Sequence, residues 1–343
     1  MLPPAFVALA LMAGSSAAWG GDDFLTLVRK AESRQEPEER VEYFSRALAA
    51  WTPGHGSGLR AACHFGRGEA RTQTGDFAQA LPDLAKALEE DPNNARAVFL
   101  RGRILLHQTL LEEDPSVRSA APAAQALADY AALKPEDVEG LLALGRAQLL
   151  AGHIAAAQVA FGRARKLAPS DPRPVLGIAR AFLAARDFGR TLESLDAADP
   201  LARGRDPDLL TERAACRLAQ GDQAGALAEL DGALPRHEEL LLDLSRSRAL
   251  PLEVEERTAA AGRAYLSRGG LRESHGDTPG ALADYTAGCR HGSRRCCARA
   301  QALGGLKPRP PQPPPAPVKP PKKSKPWKIP GPVSDPGERI YGS

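Results

Sequence analysis

Several runs in the sequence have residue types that could do chemistry, but each lacks a group that the chemistry needs. Residues 237–241 read His-Glu-Glu-Leu-Leu, like the start of a zinc-protease helix, but Leu241 stands where the second histidine ligand is required. Residues 66–71 begin like a dinucleotide-binding loop, but no predicted strand precedes them. The sequence therefore predicts no catalytic residues, no cofactor and no metal site, and we expect a protein that is not an enzyme.

Three of the five cysteines lie close together, at Cys289, Cys296 and Cys297. In an oxidising compartment, a disulfide from Cys289 to either of the other two would pin a short C-terminal helix to the helix before it. A metal site that adds His291 is disfavoured, because the spacing matches no recurring zinc pattern. Free thiols are the remaining alternative.

The elements that must position these residues are helices joined in pairs. Residues 138–171 show two helical patterns separated by a Gly-His pair. Gly145 and Ala157 lack bulk where the two helices would cross, and Phe161 would fill the space between them. Gly152 can adopt the left-handed backbone that turns the chain. The segment therefore predicts a helical hairpin.

A similar layout recurs upstream, and the repetition identifies a family. The matching positions in residues 61–94 are Gly68, Gly75, Ala80, Leu84, Ala87 and Pro92. This spacing resembles the tetratricopeptide repeat family, whose helix-turn-helix unit of about 34 residues stacks into a superhelix. The resemblance implies an all-α, right-handed superhelical solenoid of about seven hairpins over residues 21–305, with a terminal capping helix.

Seven units can be placed on the chain, with some departures from the family pattern. In the fifth unit Arg186 stands where a turn glycine is usual. Between the sixth and seventh units, residues 238–248 predict an extra helix that is stopped at Pro251. The predicted units are 21–54, 61–94, 95–135, 138–171, 172–200, 207–240 and 262–295.

The first twenty residues have the features of a signal peptide. An apolar run over 5–13 is followed by small residues, although the first basic residue is only at Arg29. We expect residues 1–20 to be a leader and the protein to be periplasmic or secreted; a cytoplasmic protein with an apolar N-terminus is the alternative. No other run is long enough to span a bilayer, so we expect no membrane span in the mature protein.

The C-terminal 37 residues differ in composition from the rest. Residues 307–343 contain thirteen prolines, and eight basic against two acidic residues give this segment a charge of +6. The formal net charge of the chain is +3, so the remainder carries about −3. We expect residues 306–343 to be a disordered, partly polyproline II tail. Nothing marks the repeats as a nucleic-acid surface.

The family resemblance also implies a binding surface. In tetratricopeptide repeat proteins the first helix of each hairpin lines a concave groove, and the residue after the small position faces into it. Guanidinium groups in three consecutive units would bind carboxylates of an extended peptide, while apolar residues one helical turn earlier would accept side chains. The predicted groove residues are Arg103, Arg146, Arg180, Phe99, Leu142 and Leu176.

The function expected on this basis is that of a scaffold that binds a protein or peptide partner in the groove. Two alternatives stay open. One is an envelope structural or tethering protein in which the basic tail binds and the repeats act as a spacer. The other is an intracellular adaptor like a co-chaperone. The identity of the partner and the oligomeric state do not follow from the sequence.

Overall fold

The computed structural model describes residues 23–112, 116–204, 206–247 and 249–305, and these residues are helical throughout apart from short connections. A 3-10 helix, Pro53–His55, follows the second α-helix. The fifteen α-helices of the described residues are α1 Phe24–Ser33, α2 Pro37–Ala50, α3 Ser57–Gln73, α4 Phe77–Glu90, α5 Ala95–Leu111, α6 Val117–Leu133, α7 Val138–Leu150, α8 Ile154–Leu167, α9 Pro172–Ala184, α10 Phe188–Ala202, α11 Pro207–Ala219, α12 Gln223–Arg246, α13 Pro251–Ser274, α14 Thr278–Arg290 and α15 Arg294–Ala302.

The helices pair into seven consecutive hairpins, from α1 with α2 to α13 with α14, and α15 packs against α14 as a final cap. The second helix of each hairpin also packs against the first helix of the next. This is the stacking expected of a solenoid, in which each unit buries its apolar face against its neighbours. The predicted all-α solenoid of seven hairpins is confirmed.

Local sequence signals define the helix ends. Acidic or amide side chains accept a hydrogen bond from a backbone amide of the first helical turn, which satisfies a donor that has no partner inside the helix. Asp76, Asp137 and Asp222 do this for α4, α7 and α12. The turn inside the fifth hairpin uses Arg186 with a φ of 60°, so a non-glycine residue adopts the left-handed backbone that Gly152 adopts in the fourth.

The fourth hairpin packs as its small residues predict. The Phe161 side chain is almost fully buried and lies against Gly145, where an added Cβ would come within 2.6 Å of the ring. Ala157 is also buried in the same hydrophobic cluster. A larger residue at position 145 would therefore push the two helices apart.

The prediction between the sixth and seventh hairpins is wrong in two respects. Residues 238–246 are not a separate helix, because α12 continues through them without a break. Pro251 does not stop a helix; it occupies the first turn of α13, where its fixed φ suits a helix start and its missing amide hydrogen costs nothing. Both helices of this pair are 24 residues long.

This long α13 reaches far back along the solenoid. Beyond its hairpin partner α14 it contacts α5 and α3, in the third and second hairpins. At its start, an added Cβ at Gly75, in the turn between α3 and α4, would lie 3.4 Å from Pro251 Cβ. The helix therefore crosses from the last hairpin to the second one.

The predicted leader, residues 1–20, and the predicted tail, residues 306–343, lie outside the described residues. Both stay predictions, as do the domain boundaries that depend on them. None of the α-helices between residues 23 and 305 is long and apolar enough to cross a membrane.

Candidate functional site

The first helices of the third, fourth and fifth hairpins carry the predicted arginine row. Arg103 lies on α5, Arg146 on α7 and Arg180 on α9, and these helices are neighbours in the solenoid. The structure brings Arg103 and Arg146 to one carboxylate and gives Arg180 a different pair of carboxylates. The row is therefore divided between two sets of partners.

Glu256 of α13 is the carboxylate that Arg103 and Arg146 share. Arg146 Nη2 donates to Glu256 Oε2 at 3.1 Å, and Arg103 Nη2 lies 3.8 Å from Glu256 Oε1. Only 11% of the Glu256 side chain is exposed. The partner thus comes from α13, 110 residues further along the chain than Arg146.

The pKa of Glu256 follows from these contacts. Burial favours the neutral acid, but His107, Arg146 and Arg103 together outweigh it and lower the pKa to about 2. For Arg146, burial and the positive charges of Arg180 and Arg103 lower the pKa, while Glu256 opposes them. The groove therefore concentrates positive charge that requires a carboxylate.

His107 on α5 provides a further polar contact in the groove. The side chain is buried, and its Nε2 lies 3.0 Å from Glu255 Oε2. Its other ring nitrogen, Nδ1, is 3.7 Å from Glu256 Oε1, which is too long for a hydrogen bond. Glu255 of α13 therefore contacts His107 of α5. The next residue, Glu256, contacts Arg103 of α5 and Arg146 of α7.

Arg180 is paired within neighbouring hairpins instead. Its Nε donates to Glu212 Oε1 at 2.6 Å and its Nη2 to Asp208 Oδ2 at 3.1 Å, both on α11 of the next hairpin. Arg257 of α13 donates to the same Asp208 oxygen at 3.1 Å. Burial raises the pKa of Asp208, but the two arginines outweigh it and hold the pKa far below its usual range.

The predicted apolar residues of the groove are largely enclosed in this structure. Phe99 packs against the Tyr130 ring, with the ring centroids 4.7 Å apart. Leu142 and Leu176 are only 7% and 4% exposed and belong to hydrophobic core clusters. In this conformation the groove side chains that make polar contacts are the arginines, whereas the two leucines are buried. A role for the apolar residues in binding stays a prediction.

Sequence reasoning missed the acidic half of these contacts. Glu255, Glu256, Asp208 and Glu212 and the basic His107 were not expected to take part. One signal was available: residues 253–256 read Glu-Val-Glu-Glu in a stretch that the repeat pattern does not account for. Such a stretch must contact something outside its own hairpin.

One disulfide forms among the three clustered cysteines. Cys289 on α14 and Cys297 on α15 form a disulfide with a Cα–Cα distance of 4.6 Å. Cys296 instead points into the core, where it is buried and its Sγ lies 3.7 Å from the Gly262 carbonyl oxygen. The disulfide joins the capping helix to the last hairpin.

The histidines near these sites have ordinary structural partners. His237 is buried with its Nε2 3.0 Å from Thr211 Oγ1, and burial is the main cause of its lowered pKa. His291 Nε2 lies 2.7 Å from Glu238 Oε1. Over the ranges that the structure describes, no group of three or more His, Cys, Asp or Glu residues is arranged to hold a metal ion.

Comparisons with known proteins agree with this architecture. The tetratricopeptide repeat family model matches residues 65–115. A tetratricopeptide repeat protein from Parabacteroides merdae, solved by crystallography, superposes with a TM-score of 0.63 at 14% identity, over 82% of this chain and 98% of that one.

Other solved structures resemble shorter parts of the chain. A thermophilic tetratricopeptide repeat protein of Thermus thermophilus has a TM-score of 0.41 at 20% identity, over 58% of this chain and 98% of that one. MamA of Desulfovibrio magneticus has a TM-score of 0.44 at 20% identity, over 53% of this chain and 95% of that one. No curated protein matches this chain in sequence.

Proposed function

Because this chain is a tetratricopeptide repeat protein, we propose that it is a non-enzymatic scaffold that binds an acidic segment of a protein partner in its concave groove. Solenoids of this kind offer extended concave surfaces for other proteins. The observation that carries the proposal is the pairing of Arg146 and Arg103 with a carboxylate from a distant part of the chain.

The chemistry of these contacts defines the partner class. Guanidinium groups bind carboxylates through directional, charge-assisted hydrogen bonds. Arg103 and Arg146, on the first helices of adjacent hairpins, would suit a segment that carries carboxylates, and the buried His107 lies on the same helix as Arg103. A neutral or basic peptide would leave these partly buried cations without partners, which is unfavourable.

The proposal is tested by photo-crosslinking in the native host. A photoreactive amino acid at Gln108, an exposed position beside the groove, should give a defined adduct with the partner. The matched control places the same amino acid at Val159, which is exposed on α8. Equal labelling from both positions, or none from Gln108, would contradict binding in the groove.

The basic tail is the second candidate for the binding element, and its charge of +6 favours that alternative. A chain ending at residue 306 separates the two: the Gln108 adduct should survive this deletion if the groove binds. Loss of the adduct would favour the tethering protein. The adduct's identity would also show whether the partner is a chaperone, as the intracellular adaptor hypothesis requires.

We further propose that the protein works outside the cytoplasm. The predicted leader supports this, and so does the Cys289–Cys297 disulfide, which persists in oxidising compartments. The intact mass and N-terminal sequence of protein from its native host, without reducing agent, test it. A start near residue 19 or 21 with one disulfide is expected; a start at Met1 with every thiol reduced would place it in the cytoplasm.

A further inference from the structure

The first half of α13 is an addition to the repeat. Residues 262–274 of this helix alone match the thirteen-residue length of α7, α9 and α11, the first helices of three other hairpins. Residues 251–261, called the α13 extension below, are therefore not needed to form the seventh hairpin. They need a separate explanation.

The α13 extension is placed in the groove as a bound helix would be. Leu252, Glu255 and Glu256 lie three and four positions apart, so they share one face of the helix. Leu252 is only 5% exposed, Glu255 contacts His107, and Glu256 contacts Arg146 and Arg103. Laying one face of a helix into a groove is a recurring mode of peptide recognition, and the carboxylates on this face pair with the basic side chains of the groove.

The fit between the α13 extension and the groove is incomplete. His107 Nδ1 and Glu256 Oε1 are buried and have no hydrogen-bond partner among the described residues. Such unpaired buried polar atoms weaken an interface. A cavity of about 690 Å³ also lies beside the extension, between Gln108 of α5, Thr258 of α13 and Ser293 before α15. A ligand with better hydrogen-bond geometry could therefore bind more strongly than the extension.

The α13 extension is also joined to the rest of the helix at a weak point. Gly262 lies where it meets the seventh hairpin, and glycine inside a helix favours the helical state less than other residues. On the other side, residues 247–250 separate it from α12. The extension could therefore leave the groove without unfolding the seventh hairpin, although its Arg257 would then lose the ion pair with Asp208 of α11.

We propose that the α13 extension is an intramolecular ligand of the groove, and that the partner binds by replacing it with an acidic helix of its own. This inference rests on the proposed function and names the partner's chemistry more closely. The partner helix carries an apolar residue followed, three and four positions later, by two carboxylates. The free groove is then a minor state, and its low population reduces the apparent affinity for the partner.

The test uses a fluorescein-labelled peptide of residues 250–262 and the full chain, with binding followed by fluorescence anisotropy. The wild-type protein should bind the peptide weakly, because its groove is occupied. The double variant Glu255→Ala, Glu256→Ala should bind it roughly tenfold more tightly, since the competing contacts are gone. A peptide with glutamine in place of Glu255 and Glu256 should not bind.

The matched control is Glu253→Ala, which removes an exposed carboxylate from the same helix and should leave peptide affinity at the wild-type value. Adding Arg103→Glu and Arg146→Glu to the double variant should abolish binding. Equal affinity in the wild type and the double variant would overturn the proposal. So would binding that does not depend on the two arginines.

Hydrogen exchange on the wild-type protein gives a second measurement that does not depend on the variants folding. Saturating peptide should increase amide exchange within residues 251–261, since the extension is displaced; unchanged exchange would overturn the proposal. This assay needs no native partner. If the peptide does not raise exchange in the extension while Gln108 crosslinks to a partner, the intramolecular ligand is refuted and binding in the groove stands. If the peptide displaces the extension but Gln108 gives no crosslink, the proposed binding of a native partner is refuted and the intramolecular ligand stands.

Discussion

Arg180 and Arg146 are both paired with carboxylates, but these carboxylates come from different parts of the chain. Arg180 is paired with Glu212 and Asp208, which belong to the next hairpin along the solenoid. Arg146 is paired with Glu256, which belongs to a helix crossing from the other end. The first arrangement joins neighbouring repeats, and only Arg257 of the α13 extension adds a contact to it, at Asp208. The second can be broken while every neighbouring repeat stays stacked.

This difference indicates which contacts stabilise the protein and which regulate access to the groove. Removing a carboxylate from the Arg180 group should weaken the whole solenoid, because the cations stay partly buried without it. Removing Glu256 should mainly release the α13 extension. The following predictions test this distinction, beginning with the largest expected effect.

Asp208→Ala should lower the free energy of unfolding by about 3 kcal/mol, since Arg180 loses one partner and Arg257 loses its ion pair at the same carboxylate. Urea denaturation followed by circular dichroism measures this. The control is Asp196→Ala, which also removes an ion pair, with Arg213, but one whose carboxylate is 70% exposed; a change below about 0.5 kcal/mol is expected there. Equal losses of stability in Asp208→Ala and Asp196→Ala would contradict a structural role for the Arg180 ion pairs.

Glu256→Ala should lower the free energy of unfolding by less, about 2 kcal/mol, because Arg146 loses its partner but gains water when the extension leaves. Amide hydrogen exchange should rise within residues 251–261 and stay unchanged in α9, whose Arg180 keeps both of its partners. If exchange instead rose evenly through all hairpins, Glu256 would belong to the same structural unit as Asp208.

Acidification should weaken the Glu256 contacts before the protein unfolds. The pKa of this carboxyl in the folded protein is about 2, below its usual value of 4.5, so its contribution is present above pH 4.5 and is lost as the pH falls toward 2. Arg103 and Arg146 face it and stay positive over this range, and His107 faces it as well. Between about pH 5 and about pH 3.5 the wild type should lose about 1 kcal/mol more stability than Glu256→Gln. Parallel pH profiles for the two proteins would contradict the assignment.

Arg103→Ala should have the smallest effect, about 0.5 kcal/mol, because its guanidinium lies 3.8 Å from Glu256 whereas that of Arg146 lies at hydrogen-bond distance. Comparing Arg103→Ala with Arg146→Ala by urea denaturation ranks the two contacts. A larger loss for Arg103→Ala would mean that Arg103 is the main anchor of the extension.

The repeats could be predicted from the sequence because their signals are local. The small residue Gly145 and the large Phe161 must meet within one hairpin, and turn residues such as Gly152 lie between them. Arg186 shows that the pattern tolerates exceptions, since the stacking of flanking helices holds a non-glycine residue in the left-handed conformation. The positions of Arg103, Arg146 and Arg180 on adjacent first helices followed from the same local register.

The boundary between the sixth and seventh hairpins could not be predicted in this way. A proline after a helical stretch is compatible both with the end of one helix and with the first turn of the next, and Pro251 is the second case. The helical pattern of α12 simply continues past residue 240, where a regular repeat would end.

The partners of the groove arginines also lay beyond local reasoning. No periodicity links Arg146 to Glu256, which are far apart in sequence and meet because the long α13 reaches back along the solenoid. The choice between Cys296 and Cys297 depends on helix geometry, because consecutive residues point about 100° apart. On α15, Cys297 is the one that faces Cys289.

The span of α13 from the last hairpin to the second also changes how the chain should fold. A solenoid whose units touch only their neighbours behaves as a one-dimensional array and can unravel from either end. Contacts of α13 with α3 and α5 add a pairing of high contact order, so the last hairpin and the second and third hairpins depend on each other. A chain cut after the sixth hairpin should lose cooperativity in its N-terminal repeats as well, although none of their own residues has been removed.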